Sequence, residues 1–271
     1  MSDKNTKLFS LLRFAVTYFL AYHLSYMVLH LTSLVATALA TADLGIPGVL
    51  YHSHIEFTEP RDSLLWSFDA VIFIAVVAPA LMFIIAWLLL TIMSLKSNHA
   101  SWGNSLLAWC TVHAFNFSAG ALLSDMLMQT GLFFAAEQLR ISLSVRISIA
   151  IVAAFFLIRV GAISAPRLIA ARVSDQNESS NRFPVVLLFI TWVTAGVINL
   201  FVLGKNLSSL LWITDIMLLI QLLPAQLMIR KTKSADFSTL NNYGLWFLLA
   251  GWLVMILVNL FILKQGILFT G

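Results

Sequence analysis

Residues 69–95 read DAVIFIAVVAPALMFIIAWLLLTIMSL. After Asp69 the run carries no charge. At about 1.5 Å of rise per residue, a helix of this length crosses a hydrocarbon layer of about 30 Å. Its apolar character extends around every face, as lipid or a fully buried position requires.

Similar windows recur on both sides of this one. Hydropathy marks spans at about 10–40, 69–95, 105–129, 145–163, 184–204, 208–229 and 243–264. The fold class expected is therefore all-α: a polytopic transmembrane bundle of about seven spans, six to eight depending on how residues 30–68 are divided. Composition agrees. Of 271 residues, 60% are hydrophobic and only 10% charged, with a mean hydropathy of +0.93, where soluble domains carry about 25% charge. The bilayer is the first partner implied.

The first apolar region is too long for one perpendicular crossing, so it is expected to tilt, kink or emerge near Leu34 to Ala40. Lys4, Lys7 and Arg13 before it imitate a signal peptide. The apolar run exceeds a signal-peptide core, and retention is expected. Basic residues then set the orientation. With the N-terminus inside, Lys4, Lys7, Arg13, Lys96, Arg159, Arg167, Arg172, Arg182, Arg230, Lys231 and Lys233 fall on or near the inner side. Arg61, Arg140, Arg146, Lys205 and Lys264 fall outside, so the split is eleven to five and favours N-in. The net charge of +4 is dispersed between spans and forms no nucleic-acid patch. A bacterial cytoplasmic membrane is the expected location.

Loops divide the chain. Residues 41–68 hold Gly45, Pro47, Gly48 and Pro60 with Asp43, Glu56, Glu59 and Asp62, and read as an irregular outer loop with room for short structure. Residues 174–182, SDQNESSNR, separate a four-span front half (about 1–173) from a three-span back half (about 184–271) of one membrane domain. The Asn177 sequon in this loop falls inside and is expected to carry no glycan. The stretches INLFVLGK (198–205) and VNLFILK (258–264) echo each other through Asn199 and Asn259. A shared origin is one reading, coincidence in an apolar alphabet the other.

Polar groups in lipid are costly, so function is sought among them. The first span places Tyr18, Tyr22, His23, Ser25, Tyr26 and His30 on a broad common face that should look into the bundle. His23 and His30 lie about 10 Å apart along it, too far to share one metal without other helices. The third span supplies His113, Asn116, Gly120 and Ser124 at helical spacing, with Asp125 beyond. His30, His52, His54, His113 and Asp125 are the candidate metal ligands, and each is alternatively a packing residue. Asp215, Gln221 and Asn116 are the candidate substrate- or ion-binding groups. Asp215 stands nine residues before Pro224, which should kink the sixth span. Cys110 is alone and forms no intrachain disulfide. HExxH, CxxC, P-loop and dinucleotide fingerprints are absent.

One stretch, VLHLTSLVATALATADLGIPGVLYHSHIEF (28–57), resembles the opening of site-2-type intramembrane zinc metalloproteases, in which a helix bearing HELGH precedes small residues, a glycine and an extended segment. APALMFIIAWLLL (78–90) and AWCTVHAFNFSAGALLSD (108–125) follow in that family's order. The resemblance covers about the first half of the chain. It puts His30 at the first histidine position, but Leu31 stands where the general-base glutamate belongs and Leu34 where the second histidine belongs. Hydrolysis by that mechanism requires both. The resemblance therefore implies a non-catalytic relative, with His30 and Asp125 as relics.

Three functions follow as expectations. The first is a non-catalytic membrane scaffold or partner-binding subunit with another membrane protein as partner and no cofactor. The second is a small transporter or channel using Asp215 and the polar face of the first helix. The third is an enzyme holding zinc or haem through His23, His30, His113 and Asp125.

Overall fold

A computed structural model describes residues 2–60, 62–95, 101–168, 183–202, 211–228 and 242–270. The polar loop 174–182, with its sequon, lies outside the described residues. Helix α1 runs unbroken over Ser2–Asp43 and is followed by strands β1 (Gly48–Leu50) and β2 (Ile55–Phe57). Then come α2 (Phe68–Leu95), α3 (Trp102–Phe115), a π-helical segment (Asn116–Gly120), α4 (Ala121–Met128), α5 (Leu132–Gln138) and α6 (Leu143–Leu168). The back half holds α7 (Phe183–Val202), α8 (Leu211–Met228), α9 (Asn242–Leu257), a second π-helical segment (Val258–Leu263) and β3 (Ile267–Phe269).

Five stretches are long and apolar enough to cross a bilayer: Leu12–Asp43, Phe68–Leu95, Trp102–Met128, Leu143–Leu168 and Tyr243–Leu263. The chain is thus a helical integral membrane protein. Helices α7 and α8 stand where the fifth and sixth spans are expected.

Position in the bundle follows polarity. The α1 and α3 stretches are the least apolar of the five and the most buried. Between Thr17 and His30, only Phe19 and Val28 of α1 are not fully buried. Polar side chains in lipid would lack partners, so the helices that carry them go inside and leave α2, α6 and α9 to face outward. The first helix has no break near Leu34. It stays helical to Asp43 and ends in a glycine turn, where Gly45 at φ 73° lets the Ile46 amide reach back to the Thr41 carbonyl at 2.9 Å.

Beyond that turn, β1, β2 and β3 form an antiparallel sheet in the order β2-β1-β3. The register sets Val49 opposite Glu56 and Leu268. The C-terminal strand therefore lies at the same end of the bundle as the loop after α1. Gly48 is needed for this closure, since a Cβ there would strike the Phe269 ring and the Glu56 carbonyl.

Side chains tie the helix ends together. The Tyr18 hydroxyl donates to the Leu168 carbonyl at 2.5 Å, joining α1 to α6. The Arg167 guanidinium donates to the carbonyl of Met93. That carbonyl lies in the last turn of α2, where helix acceptors lack an intrahelical donor. Helices α6 and α8 meet at Gly161, where a Cβ would overlap the backbone of Gln221, the close approach that small residues permit in membranes.

Gly161→Ala should therefore cost about 1–3 kcal/mol through overpacking. Gly196→Ala in α7, where a Cβ meets nothing within 4 Å, should be nearly neutral. Thermal unfolding of both variants in the same detergent checks the difference, and equal midpoints would contradict the packing described.

Candidate functional site

The buried polar residues gather where α1 and α3 touch. His23 in α1 is fully buried between α7 and α9. Its Nε2 lies 2.8 Å from Asn199 Oδ1, and its Nδ1 lies 2.6 Å from Trp252 Nε1. Indole N–H only donates, so Nδ1 must be the acceptor and Nε2 must carry the proton that goes to Asn199. The ring is a neutral Nε2–H tautomer with both nitrogens engaged. Phe19 stacks on it at 5.8 Å. His23 is thus a staple joining three helices.

His113 in α3 is also fully buried, but its setting is aromatic. Tyr22 meets its ring edge-on at 4.6 Å, Tyr26 at 5.5 Å, and Trp109 stacks on it at 5.7 Å. Neither ring nitrogen makes a hydrogen bond of ordinary geometry, and the Tyr22 backbone is a polar neighbour. His30, two turns along α1 from His23, stacks between Tyr26 and Phe117.

Just past His113 the helix changes pitch. The Asn116 amide is shared between the Val112 and His113 carbonyls, and the Ala121 amide reaches back five residues to the Asn116 carbonyl. Such π segments leave helix carbonyls open to a second donor. Gln221 of α8 supplies one, its Nε2 donating to the Val112 carbonyl at 3.2 Å. This fixes the amide's orientation and aims Oε1 away from that bond. The structure so brings together Asn116 and Gln221, two of the candidate binding residues, on facing helices beside His113. The side chain of Asp215, the third, lies outside the described residues, and its backbone is in the first turns of α8. Pro224 is buried within α8.

Asp125 lies elsewhere. Its carboxylate accepts from the Thr130 hydroxyl at 3.0 Å and from the Leu132 amide at 2.9 Å. Gly131, at φ 41°, has no room for a Cβ against that carboxylate. Asp125 thereby shapes the turn between α4 and α5 and satisfies one of the first amides of α5. His52 and His54 sit on the β1–β2 connection at the sheet end. His54 stacks on Tyr51 at 5.1 Å, with Nδ1 3.0 Å from the Ser53 hydroxyl. Among the described residues, no three His, Cys, Asp or Glu side chains gather as a metal site would need.

The sheet end holds a separate feature. A cleft of about 530 Å³ is lined by His54, Ile55, Glu56, Phe57, Glu59, Trp66 and Val71. It runs beside β2, which among the described residues pairs with β1 on one side and with no strand on the other. Bonds from the Tyr51 amide to His54 and from the Thr58 amide to Pro47 show which residues face β1. By antiparallel alternation Glu56 belongs to that set, and the N–H and C=O of Ile55 and Phe57 point to the open edge. Phe57 and Trp66 pack edge-to-face at 5.2 Å.

Sequence reasoning missed Trp252, Ser164 and this cleft. Tryptophan is common in membrane helices, and nothing in its spacing marks one as the donor to a histidine on a distant helix. The chain matches no family model, no curated protein and no solved structure.

Trp252→Phe and Asn199→Leu should each cost about 1–3 kcal/mol, because each leaves a buried ring nitrogen of His23 without its partner. In a His23→Phe background the same changes should cost less than half as much, as a double-mutant cycle in detergent unfolding would read. Imidazole ¹⁵N shifts should show His23 protonated at Nε2. A protonated Nδ1 would contradict the bond from Trp252.

Proposed function

We propose that the chain is a non-catalytic, partner-binding membrane subunit that holds an extended segment of another membrane protein at its sheet end. The observation that carries this reading is the open edge of β2 beside the cleft. Two matched pairs of backbone donors and acceptors face outward there, and an added strand is the partner that satisfies them. The surroundings select charge. Residues 43–69 hold Asp43, Glu56, Glu59, Asp62 and Asp69 against Arg61 alone, so a segment carrying Lys or Arg is favoured. Engagement of His23 and Asp125 in structural bonds supports a non-catalytic role, as do Leu31 and Leu34 in place of a glutamate and a histidine. The order of residues 28–57 supports kinship with site-2-type intramembrane metalloproteases that has lost the catalytic pair.

The same reading takes seven spans in a bacterial cytoplasmic membrane with the N-terminus inside. The eleven-to-five division of Lys and Arg supports that orientation. Sheet pairing requires an even number of crossings between β2 and β3, and seven spans supply it. Cysteines introduced at Ser53 and Thr270 should both react with an impermeant maleimide added outside intact cells, in a Cys110→Ala background. Labelling only after lysis would reverse the orientation, and labelling of one site alone would break the sheet pairing.

Binding is tested on the protein in nanodiscs with a synthetic peptide of alternating Lys and Val. The peptide should bind, and added salt should weaken it. Ile55→Pro removes an edge amide that β1 does not use, and proline is tolerated on edge strands. It should weaken binding by at least about tenfold, or about 1.4 kcal/mol. Binding indifferent to Ile55→Pro would overturn the strand-addition reading.

A further inference from the structure

Among the described residues, Trp109 in α3, Ser164 in α6 and Gln221 in α8 are fully buried and each carries a polar atom with no hydrogen-bond partner, and His113 in α3, equally buried, has only the Tyr22 backbone as a polar neighbour of its ring. They belong to one neighbourhood. Trp109 stacks on His113, and Gln221 is bonded to Val112, the residue before His113. Gly161 packs on the Gln221 backbone, and Ser164 follows on the same face of α6, one turn nearer Leu168. Trp109 shares a packed cluster with Ala165 and Leu168 of α6 and with Leu218 and Leu222 of α8.

Buried polar atoms in native proteins are almost always paired, with protein or with ordered water. The cost of leaving one unpaired is greatest in lipid, where bulk solvent is not at hand. At this place the demand is mixed. The indole of Trp109 offers a donor, the Gln221 oxygen accepts, the His113 ring adds a donor or an acceptor beside its contact with the Tyr22 backbone, and the Ser164 hydroxyl does both. None of the four is a carboxylate, an ammonium or a guanidinium, so the set suits a neutral dipole and disfavours an ion. A metal would be met by too few basic atoms, since an indole N–H does not ligate.

The geometry points to a binding site for water, or for a neutral hydrogen-bonding solute of water's size, between α3, α6 and α8 deep in the membrane domain. The site is independent of the partner-binding edge. It places hydration beside the π-helical segment, where the Val112 carbonyl already serves two donors, and extends it along α6 toward the Leu168 end. Small polar ligands of this kind bridge helices as ordered water does in soluble proteins.

Hydroxyl-radical footprinting of the full chain in nanodiscs tests the site with water itself as the probe. A pulse of X-rays makes radicals from bound water in place, so side chains touching it are oxidised although bulk solvent cannot reach them. Trp109 and His113 should be oxidised well above Met82, an equally buried and more oxidisable side chain packed in a different hydrophobic cluster. Gln221→Leu with Ser164→Ala removes two of the polar groups and should bring Trp109 oxidation down to the Met82 level. Should that variant not fold, the comparison of Trp109 with Met82 in the unaltered protein decides alone. Trp109 oxidised no faster than Met82, or equally fast with Gln221 and Ser164 replaced, would overturn the assignment.

Discussion

A histidine within a bilayer must satisfy both ring nitrogens with protein groups or bound water, because lipid offers neither a donor nor an acceptor. His23 meets that demand from two directions at once, through Asn199 and Trp252. Those bonds come from α7 and α9, so satisfying one side chain of α1 fixes three helices relative to one another. The same demand recurs along α1. Tyr18 reaches α6, and Tyr22 and Tyr26 close around His113 of α3. A helix carrying so many polar groups has one stable place, the middle of the bundle. Its central position follows from the cost of exposing those groups to lipid.

The α3 helix meets the constraint differently. Its polar groups are not all paired within the protein, and its backbone departs from α-helical pitch immediately after His113. The two facts belong together. A π segment turns carbonyls outward, which lets Gln221 dock on Val112, and the resulting side-on contact brings α8 close enough to α6 that only glycine fits at 161. Stability at this place rests on close backbone approach and dispersion, which in a membrane replace the hydrophobic drive between helices. The loss of one methyl-sized space there propagates to three helices, whereas Gly196 has no such neighbours.

Much of this was legible in the chain. The window 69–95 corresponds to α2 within a residue, and 105–129 and 145–163 coincide with α3–α4 and α6 except at their ends. Hydropathy falls short of the helix ends because Ser101 before one span, and Arg167 in the other, lower it locally while serving as a cap and a tether. That the polar face of α1 would look inward was also legible, from spacing alone. Which groups meet across helices was not. Asn199 and Asn259 look equivalent in sequence, yet Asn199 bonds His23 whereas Asn259 lies in a π segment and accepts a backbone bond from Lys264. The candidate ligands dispersed for the same reason: periodicity places residues on a face, but the rotation and depth of each helix decide which faces meet. The sheet was hidden as well, because its three-residue strands are too short to show alternation and β3 pairs across most of the chain's length.

The sheet end and the bundle interior constrain each other. An open strand edge is intolerable in hydrocarbon, so β2 must lie in water or at the interface, beyond the end of α1. Its acidic neighbours are consistent with that place, since carboxylates such as Glu56 and Glu59 need solvent or a cation. Within the bundle the tendency is the reverse: side-chain bonds close helix upon helix, and the groups left to be satisfied where α3, α6 and α8 meet are neutral. A partner that paired through polar groups inside the membrane would have to displace bonds such as those of His23, each already made in full. A partner that added a strand at β2 would displace only water. The same physical demand, that every polar group find a partner, thus seals the interior and leaves the sheet end as the place where a new backbone can be accepted at least cost.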